Sequence, residues 1–160
     1  MRYVSFLSLG GMIAAPAIAA GTVNVTIPKM NVAEYHKPYM AAWLEPAGGG
    51  NARTVAIWYD VRKGGNEPGS KWLSELRAWW RKGGKNLALP ADGISGATRA
   101  PGAYAIPLPA DLKPGAYVLN VEAARETGGR ELVSMPISVP ARTARASGKT
   151  ELGTVTLSAR

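Results

Sequence analysis

The residues best suited to carry chemistry form one short segment, Asp92-Gly93-Ile94-Ser95-Gly96-Ala97-Thr98. It ends in the hydroxyl of Thr98, and the small residue before it leaves the approach to that oxygen open. The two glycines permit backbone angles that are closed to other residues. Taken alone, however, Asp-Gly and Ser-Gly are ordinary turn pairs. By these features the segment could equally be a plain surface loop.

The complete segment resembles the acceptor motif of the bacterial FAD:protein FMN transferases. That motif runs aspartate, usually glycine, any residue, serine or threonine, glycine, alanine and threonine, and every position is filled here. The resemblance implies that Thr98 receives FMN through a phosphoester. It also implies that the other cofactor-binding residues of the segment are Asp92, Gly93, Ser95, Gly96 and Ala97. Asp92 fits recognition better than a role as base, although the sequence does not separate the two.

The chemistry of such a transfer belongs to the modifying enzyme. The threonine oxygen must attack a phosphorus atom while Mg²⁺ in the transferase neutralises charge on the pyrophosphate. The acceptor therefore needs an exposed loop with little steric bulk. Arg99 follows Thr98 and could pair with the charge that remains on the phosphodiester, an exposed contact worth about 0–1 kcal/mol. A simply solvated Arg99 is equally expected.

A wider resemblance covers nearly the whole chain after residue 20. The chain looks like the periplasmic family known as domain of unknown function 2271, whose C-terminal half is similar to the immunoglobulin-like part of the flagellar hook-capping protein. The family setting implies two partners, an FAD:protein FMN transferase and a membrane redox protein of the PepSY type. The segments that carry the resemblance, in order, are PYMAAWLE, TVAIWY, KWLSELRAWW, DGISGATRAPG and PGAYVLNVEAARETGGRELVSMPISV.

The composition excludes several kinds of site. The chain has 160 residues, no cysteine and one histidine, His36. Thiol nucleophiles, cysteine zinc sites, iron–sulfur ligation and covalent c-type haem are excluded, as are two-histidine metal motifs. Met30, His36 and Met40 suggest a soft copper site, but an apolar methionine beside a surface histidine is the commoner arrangement. We therefore expect no metal site and no catalytic residue.

The N-terminus predicts export. Residues 1–20 combine Arg2, an uncharged apolar run and a small-residue tail, which together are typical of a cleaved signal peptide. The net charge is +8 and the basic residues are scattered, without a nucleic-acid motif. We therefore expect a periplasmic protein that binds no nucleic acid. Its diffuse positive field suits an anionic membrane surface or an acidic redox partner.

Most elements are predicted to be strands. Alternating or β-branched segments predict strands at 22–28, 39–44, 53–61 and 152–158, and a hairpin with arms at 116–123 and 132–139. Residues 141–150 are polar and basic and predict a loop. Residues 86–102 lack a period and are rich in Gly, Ala and Pro, which also predicts a loop. Loops of that length in a compact domain are uncommon and often functional.

One segment has helical spacing. Its apolar residues are Trp72, Leu73, Leu76, Trp79 and Trp80, and with Ser70 as cap and Gly83-Gly84 as stop they predict an amphipathic helix over 70–82. An apolar stripe of this kind normally packs in a core, where we place Trp72 and Trp79. Trp80 and Tyr104 are the candidate neighbours of a flavin ring.

Together these patterns predict a mainly β protein. The expected architecture is one immunoglobulin-like antiparallel β-sandwich over residues 21–160, with one inserted amphipathic helix. The expected function is that of a periplasmic flavoprotein with FMN on Thr98, an electron carrier without catalysis of its own. A cofactor-free immunoglobulin-like binding or scaffold module of an envelope complex is the alternative. A weaker third option is an enzyme that uses the flavin on a small substrate.

Overall fold

The computed structural model describes residues 20–61 and 69–159. The predicted signal peptide lies outside these residues apart from Ala20. The described chain forms nine strands and one short α-helix. They are β1 (Thr22–Ile27), β2 (Tyr39–Pro46), β3 (Arg53–Tyr59), α1 (Arg77–Arg81), β4 (Ser95–Ala97), β5 (Gly102–Pro107), β6 (Gly115–Ala124), β7 (Arg130–Val139), β8 (Ala144–Ser147) and β9 (Thr154–Ser158).

The strands form two sheets. One has the order β5-β1-β9-β8, and the other has the order β4-β3-β2-β6-β7. Every pairing is antiparallel except that of β3 with β4, which is parallel. The chain is therefore mainly β, with two sheets arranged consistently with a β-sandwich. The strands predicted from alternation are all present, with bounds shifted by a few residues.

The main core lies between the sheets. In β1 every second side chain is fully buried, and the same alternation recurs along β7 and β9. Because successive side chains of a strand point to opposite faces, this period puts one row of each strand into the core. The row from β1 consists of Val23, Val25 and Ile27. It lies beside Val155 and Leu157 of the neighbouring strand and belongs to the same core cluster as Val121 of the second sheet.

A second, smaller core covers the outer face of the five-stranded sheet. There Ala41, Trp43 and Ile57 pack against Leu76 and Trp79. Strand β2 is thus buried on both faces, which explains why it is a continuous apolar run instead of an alternating one. A strand buried on both faces has no solvent side on which polar residues are favoured.

The predicted continuous helix over 70–82 is wrong. The structure has a 3₁₀ segment at Gly69–Glu75, the five-residue α1 and a second 3₁₀ turn at Gly84–Asn86. At Leu76 the backbone leaves helical angles, with φ −76° and ψ 70°. The physical reason is the buried carboxylate of Glu122, which accepts hydrogen bonds from the backbone N–H groups of Ala78 at 3.1 Å and Trp79 at 2.9 Å. These two donors start a new helix there.

The two core tryptophans predicted in this segment differ in outcome. Trp79 is buried, and its indole N–H donates to Thr54 Oγ1 at 2.9 Å. Trp72 is only half-buried and lies outside both clusters of buried residues, with the Lys71 ammonium 5.1 Å from its ring centroid. The 3₁₀ winding has three residues per turn, so the apolar stripe expected from 3.6-residue spacing is not maintained.

The close packing of Gly84 on Trp79 gives the first testable prediction. A Cβ atom added at Gly84 would lie 2.6 Å from both Cε2 and Cε3 of the Trp79 ring. Gly84→Ala should therefore lower the free energy of unfolding by about 1–3 kcal/mol, measured by urea denaturation, because a crowded core must shift to admit the methyl group.

Gly48→Ala is the matched control for Gly84→Ala. A Cβ atom at Gly48 would meet no atom within 4 Å. This variant should stay within about 0.5 kcal/mol of the parent protein, as open surface substitutions do. Equal stability of the two variants would contradict the packing argument.

The turn before β9 gives a prediction on pH. The Glu131 carboxylate accepts backbone hydrogen bonds from Lys149 at 2.6 Å, Thr150 at 3.0 Å, Glu151 at 2.8 Å and Leu152 at 2.9 Å. Burial acts to raise the pKa of Glu131, but the four backbone donors outweigh it and hold that pKa below its ordinary value. The ionised carboxylate therefore fastens the turn that leads into β9.

A lowered pKa in the folded state stabilises the protein above the unfolded pKa, about 4.3 for glutamate. That contribution is lost as the pH falls through the lower folded value. Glu131→Gln should remove this part of the acid dependence of the free energy of unfolding, measured between neutral pH and the acid transition. Glu75→Gln, at a surface pair with Arg77, serves as control. An unchanged acid slope in Glu131→Gln would refute the role of Glu131.

Candidate functional site

The segment singled out by sequence begins with a tight turn. The carbonyl oxygen of Ala91 accepts from the N–H groups of Ile94 at 3.4 Å and Ser95 at 3.0 Å, while Ser95 Oγ accepts from the N–H of Ala91 at 2.8 Å. Gly93 has φ +76°, in the left-handed region that favours glycine. Asp92 and Gly93 are exposed at the tip of this turn. The hydroxyl of Ser95 therefore closes the turn.

The turn leads into β4, an edge strand that the sequence did not predict. Ser95, Gly96 and Ala97 pair in parallel with β3, and the N–H of Ile57 donates to the carbonyl oxygen of Ile94 at 2.8 Å. The expected loop over 86–102 is therefore interrupted by a short strand. Three small residues carry no alternating pattern, so only the pairing with a distant strand reveals it.

Thr98 comes directly after β4 and is half-buried. Within residues 20–61 and 69–159, its hydroxyl has no hydrogen-bond partner. The oxygen is thus not engaged in the sheet or in a side-chain network of the described chain. The carboxyl-terminal end of an edge strand holds the backbone of this residue in place and leaves the side chain outside the ladder.

Thr98 lines an open cleft, called here the polar cleft, in which most other side chains are charged or polar. His36 lies between two carboxylates of this region, with Nε2 3.0 Å from Glu34 Oε1 and Nδ1 4.0 Å from Glu126 Oε2. The sequence does not reveal this cleft, because its residues come from four separate parts of the chain. Besides Thr98, the lining residues are Tyr35, His36, Lys37, Tyr39, Asp60 and Glu126.

Arg99 contacts two aromatic rings, which do not belong to the polar cleft. Its guanidinium carbon lies 5.3 Å from the centroid of the Trp58 ring and 5.6 Å from that of Tyr104. The two rings are 5.6 Å apart and meet edge to face at 76°. Tyr104 is anchored by its hydroxyl, which donates to the carbonyl oxygen of Ala100 at 2.7 Å. Arg99 is thus held against two aromatic rings, and its pairing with a phosphodiester stays a prediction.

Gly96 lies beside both Trp58 and Arg99. A Cβ atom at Gly96 would lie 3.4 Å from Trp58 Cδ1 and 3.6 Å from Arg99 Nη2, which is ordinary van der Waals contact. The depression at this point is called here the aromatic groove. Its lining includes Trp58, Gly93, Gly96, Arg99, Tyr104 and Ile106.

The structure brings most predicted site residues together. Asp92, Gly93, Ser95, Gly96, Ala97, Thr98 and Arg99 form one continuous turn, edge strand and strand exit, and Tyr104 is packed beside Arg99. Trp80 is not part of this region, because it lines a separate groove with Leu73 and Leu87. The flavin neighbours kept from the sequence were Trp80 and Tyr104 and not Trp58, whose position in an apolar strand predicts burial.

Over residues 20–61 and 69–159, no three His, Asp or Glu side chains come together in a way that could hold a metal ion. The same residues contain no helix with the length and apolar character needed to span a bilayer.

The fold and the site define a small two-sheet β domain with a half-buried threonine at the end of an edge strand. A family model described as "Predicted periplasmic protein (DUF2271)" matches residues 20–154, and the chain belongs to this family. The family resemblance seen in the sequence is thereby confirmed, and with it the assignment to predicted periplasmic proteins. Curated proteins and solved structures gave no match.

Proposed function

We propose that this protein is a periplasmic flavoprotein that carries FMN on Thr98 and acts as an electron carrier. The observation that supports this most strongly is the side chain of Thr98, a half-buried residue whose hydroxyl has no hydrogen-bond partner in the described chain. It stands at the end of a complete acceptor motif. The proposal includes an immunoglobulin-like class for the sandwich and removal of residues 1–20 as a signal peptide.

The modification is a phosphoryl transfer from FAD. The Thr98 oxygen attacks the phosphorus on the FMN side of the FAD pyrophosphate, and the bond from that phosphorus to the AMP oxygen breaks. AMP leaves, and the threonine proton passes to a base of the transferase. This chain contributes presentation. The backbone of β4 fixes the position of Thr98. Ala97, directly before it, is small and exposed. Asp92, six positions earlier in the chain, is also exposed and offers a carboxylate for recognition.

The residues near Thr98 fit such a group. Thr98 lines an open cleft that also holds Lys37, whose ammonium suits a phosphodiester. When attached, FMN supplies one- and two-electron transfer, so the protein needs only to bind, shield and present it. No catalytic side chain of the chain is required by this role. A tether also keeps the flavin at the protein in a compartment from which free flavin would diffuse.

The proposed partners follow from this role. The first is an FAD:protein FMN transferase that loads the cofactor. The second is a membrane redox protein of the PepSY type that exchanges electrons with it. Of the net charge of +8, one positive charge belongs to Arg2 and leaves with residues 1–20. The remaining positive excess supports docking to an acidic partner or an anionic membrane surface, because a positive field of this kind speeds encounter with negative surfaces.

The test is direct detection of the attached flavin. The protein would be exported in cells with and without an active transferase, and the denatured protein examined for flavin fluorescence in a gel. Trypsin cleaves after Lys85 and Arg99, so residues 86–99 should appear in the mass spectrum heavier by FMN less one water, with the added mass on Thr98. An acceptor protein of proven competence in the same cells shows that the transferase works.

Lack of modification beside an active transferase would overturn the proposal. The cofactor-free binding or scaffold module of an envelope complex would then be the better description. Turnover of a small molecule by the flavinylated protein alone would instead favour an enzyme.

A further inference from the structure

We propose that the isoalloxazine ring of FMN attached to Thr98 docks in the aromatic groove beside Arg99 and Tyr104, while its phosphodiester stays in the polar cleft. This inference rests on the proposed function, since it needs the flavin to be attached. It goes further by assigning a binding site for the ring to residues that the acceptor motif does not include.

The aromatic groove lies within reach of a ring attached to Thr98. Thr98 lines the polar cleft, whereas Gly96 and Arg99, on either side of it, line the aromatic groove. Residues two apart in the chain have Cα atoms at most about 7 Å apart. The extended ribityl phosphate is long enough to cross such a distance. A ring tethered at Thr98 can therefore reach the groove without any movement of the backbone.

The side chains of the aromatic groove suit a flat aromatic ring. Arg99 is the one charged side chain among the described residues that line the aromatic groove. A planar guanidinium stacks favourably on aromatic faces. Arg99 lies over the Trp58 ring, with its guanidinium carbon 5.3 Å from the ring centroid, so a flat flavin in the groove would contact the guanidinium. The groove volume, about 310 Å³, is within the size range of small-ligand sites.

The polar cleft is a poorer site for the ring. Its lining includes the carboxylates of Asp60 and Glu126 together with Lys37 and His36. Covering these groups with an apolar ring would remove charged groups from water, which is costly. Lys37 suits the phosphodiester. The two ends of FMN thus match two sites, one lined by Thr98 itself and the other by its neighbours Gly96 and Arg99.

The experiment uses the full-length flavinylated protein and measures the fluorescence anisotropy of the attached flavin in the native state. A docked ring turns with the protein, so its anisotropy is high, and a free ring on its tether gives a low value. Tyr104→Leu removes one aromatic contact and should lower the ratio of docked to undocked flavin by about two- to tenfold. Tyr104→Phe keeps the ring and should retain high anisotropy.

Tyr35→Leu is the matched control, because Tyr35 is an aromatic residue of the polar cleft. It should leave the anisotropy at the parent value. Flavin fluorescence of the denatured protein in a gel reports attachment alone and should be equal in all four proteins.

The outcomes separate the two proposals. Absence of flavin from the denatured parent protein would defeat the proposed function and this inference with it. Normal attachment with a freely mobile ring in the parent protein would overturn the docking alone. Normal attachment with anisotropy lowered by Tyr35→Leu and unchanged in Tyr104→Leu would overturn it in favour of the polar cleft.

Discussion

Replacement of Thr98 by valine should abolish covalent flavin completely, whereas Thr98→Ser should retain it. Valine keeps the branched shape of threonine and removes only the oxygen that attacks the phosphorus. Because a phosphoester cannot form without that oxygen, the fluorescent band of the denatured protein should fall to background. Serine keeps the nucleophile, and the exit of β4 keeps its backbone in place. The measurement is in-gel fluorescence after export beside an active transferase.

The structure indicates that Thr98→Val removes the nucleophile without disturbing the fold. The Thr98 hydroxyl donates to no described residue, so Thr98→Val should change the free energy of unfolding by no more than about 0.5 kcal/mol. Unfolding in urea, followed by tryptophan fluorescence, checks that the variant is folded. A fluorescent band that survives in folded Thr98→Val would place the flavin on another residue. Loss of the band together with loss of fold would point to a structural role for Thr98.

Replacement of Glu122 by alanine should be the most destabilising of the substitutions considered. Its side chain is fully buried and accepts hydrogen bonds from the backbone of Ala78 and Trp79 and from Arg130 Nη1 at 2.6 Å. Alanine would leave two backbone donors and a guanidinium without their acceptor. Removal of one partner of a buried ion pair costs about 3–5 kcal/mol. Arg130 is 40% exposed and can turn to water, which favours the lower end.

A loss of that size is a large part of the 5–15 kcal/mol typical of folded domains. Urea denaturation of Glu122→Ala would measure it. Glu75→Ala, which breaks an exposed pair with Arg77, is the comparison and should cost about 0–1 kcal/mol. Equal effects of the two variants would show that Glu122 does not hold α1 to the sheet. Glu122→Gln keeps one acceptor oxygen and should lie between the parent and Glu122→Ala.

The same glutamate explains a limit of sequence reading. The apolar spacing from Trp72 to Trp80 is helical, and nothing within the segment predicts a break at Leu76. The break comes from Glu122, which lies more than forty positions further along the chain and supplies acceptors to the N–H groups of Ala78 and Trp79. Local periodicity therefore indicated which residues face the core in this segment, correctly for Trp79, but not the winding of the backbone.

The sequence by itself determined the strands with a clear alternation, such as Thr22–Ile27, and the long hairpin of Gly115–Ala124 with Arg130–Val139. It also determined the family and the chemical character of residues 92–98. These features depend on near neighbours, since side-chain alternation and turn-forming residues act over a few positions.

Only the tertiary structure decided that Ser95–Ala97 is a parallel edge strand, and that β5 and β8 exist in segments without a clear sequence signal. It also decided that Thr98 lines a polar cleft while its neighbours Gly96 and Arg99 line an aromatic groove. The residues that line both come from distant parts of the chain. A short segment of small residues forms a strand or packs in a core only where another part of the chain lies next to it. Such contacts depend on long-range burial and hydrogen bonding, which leave no periodic trace in the sequence.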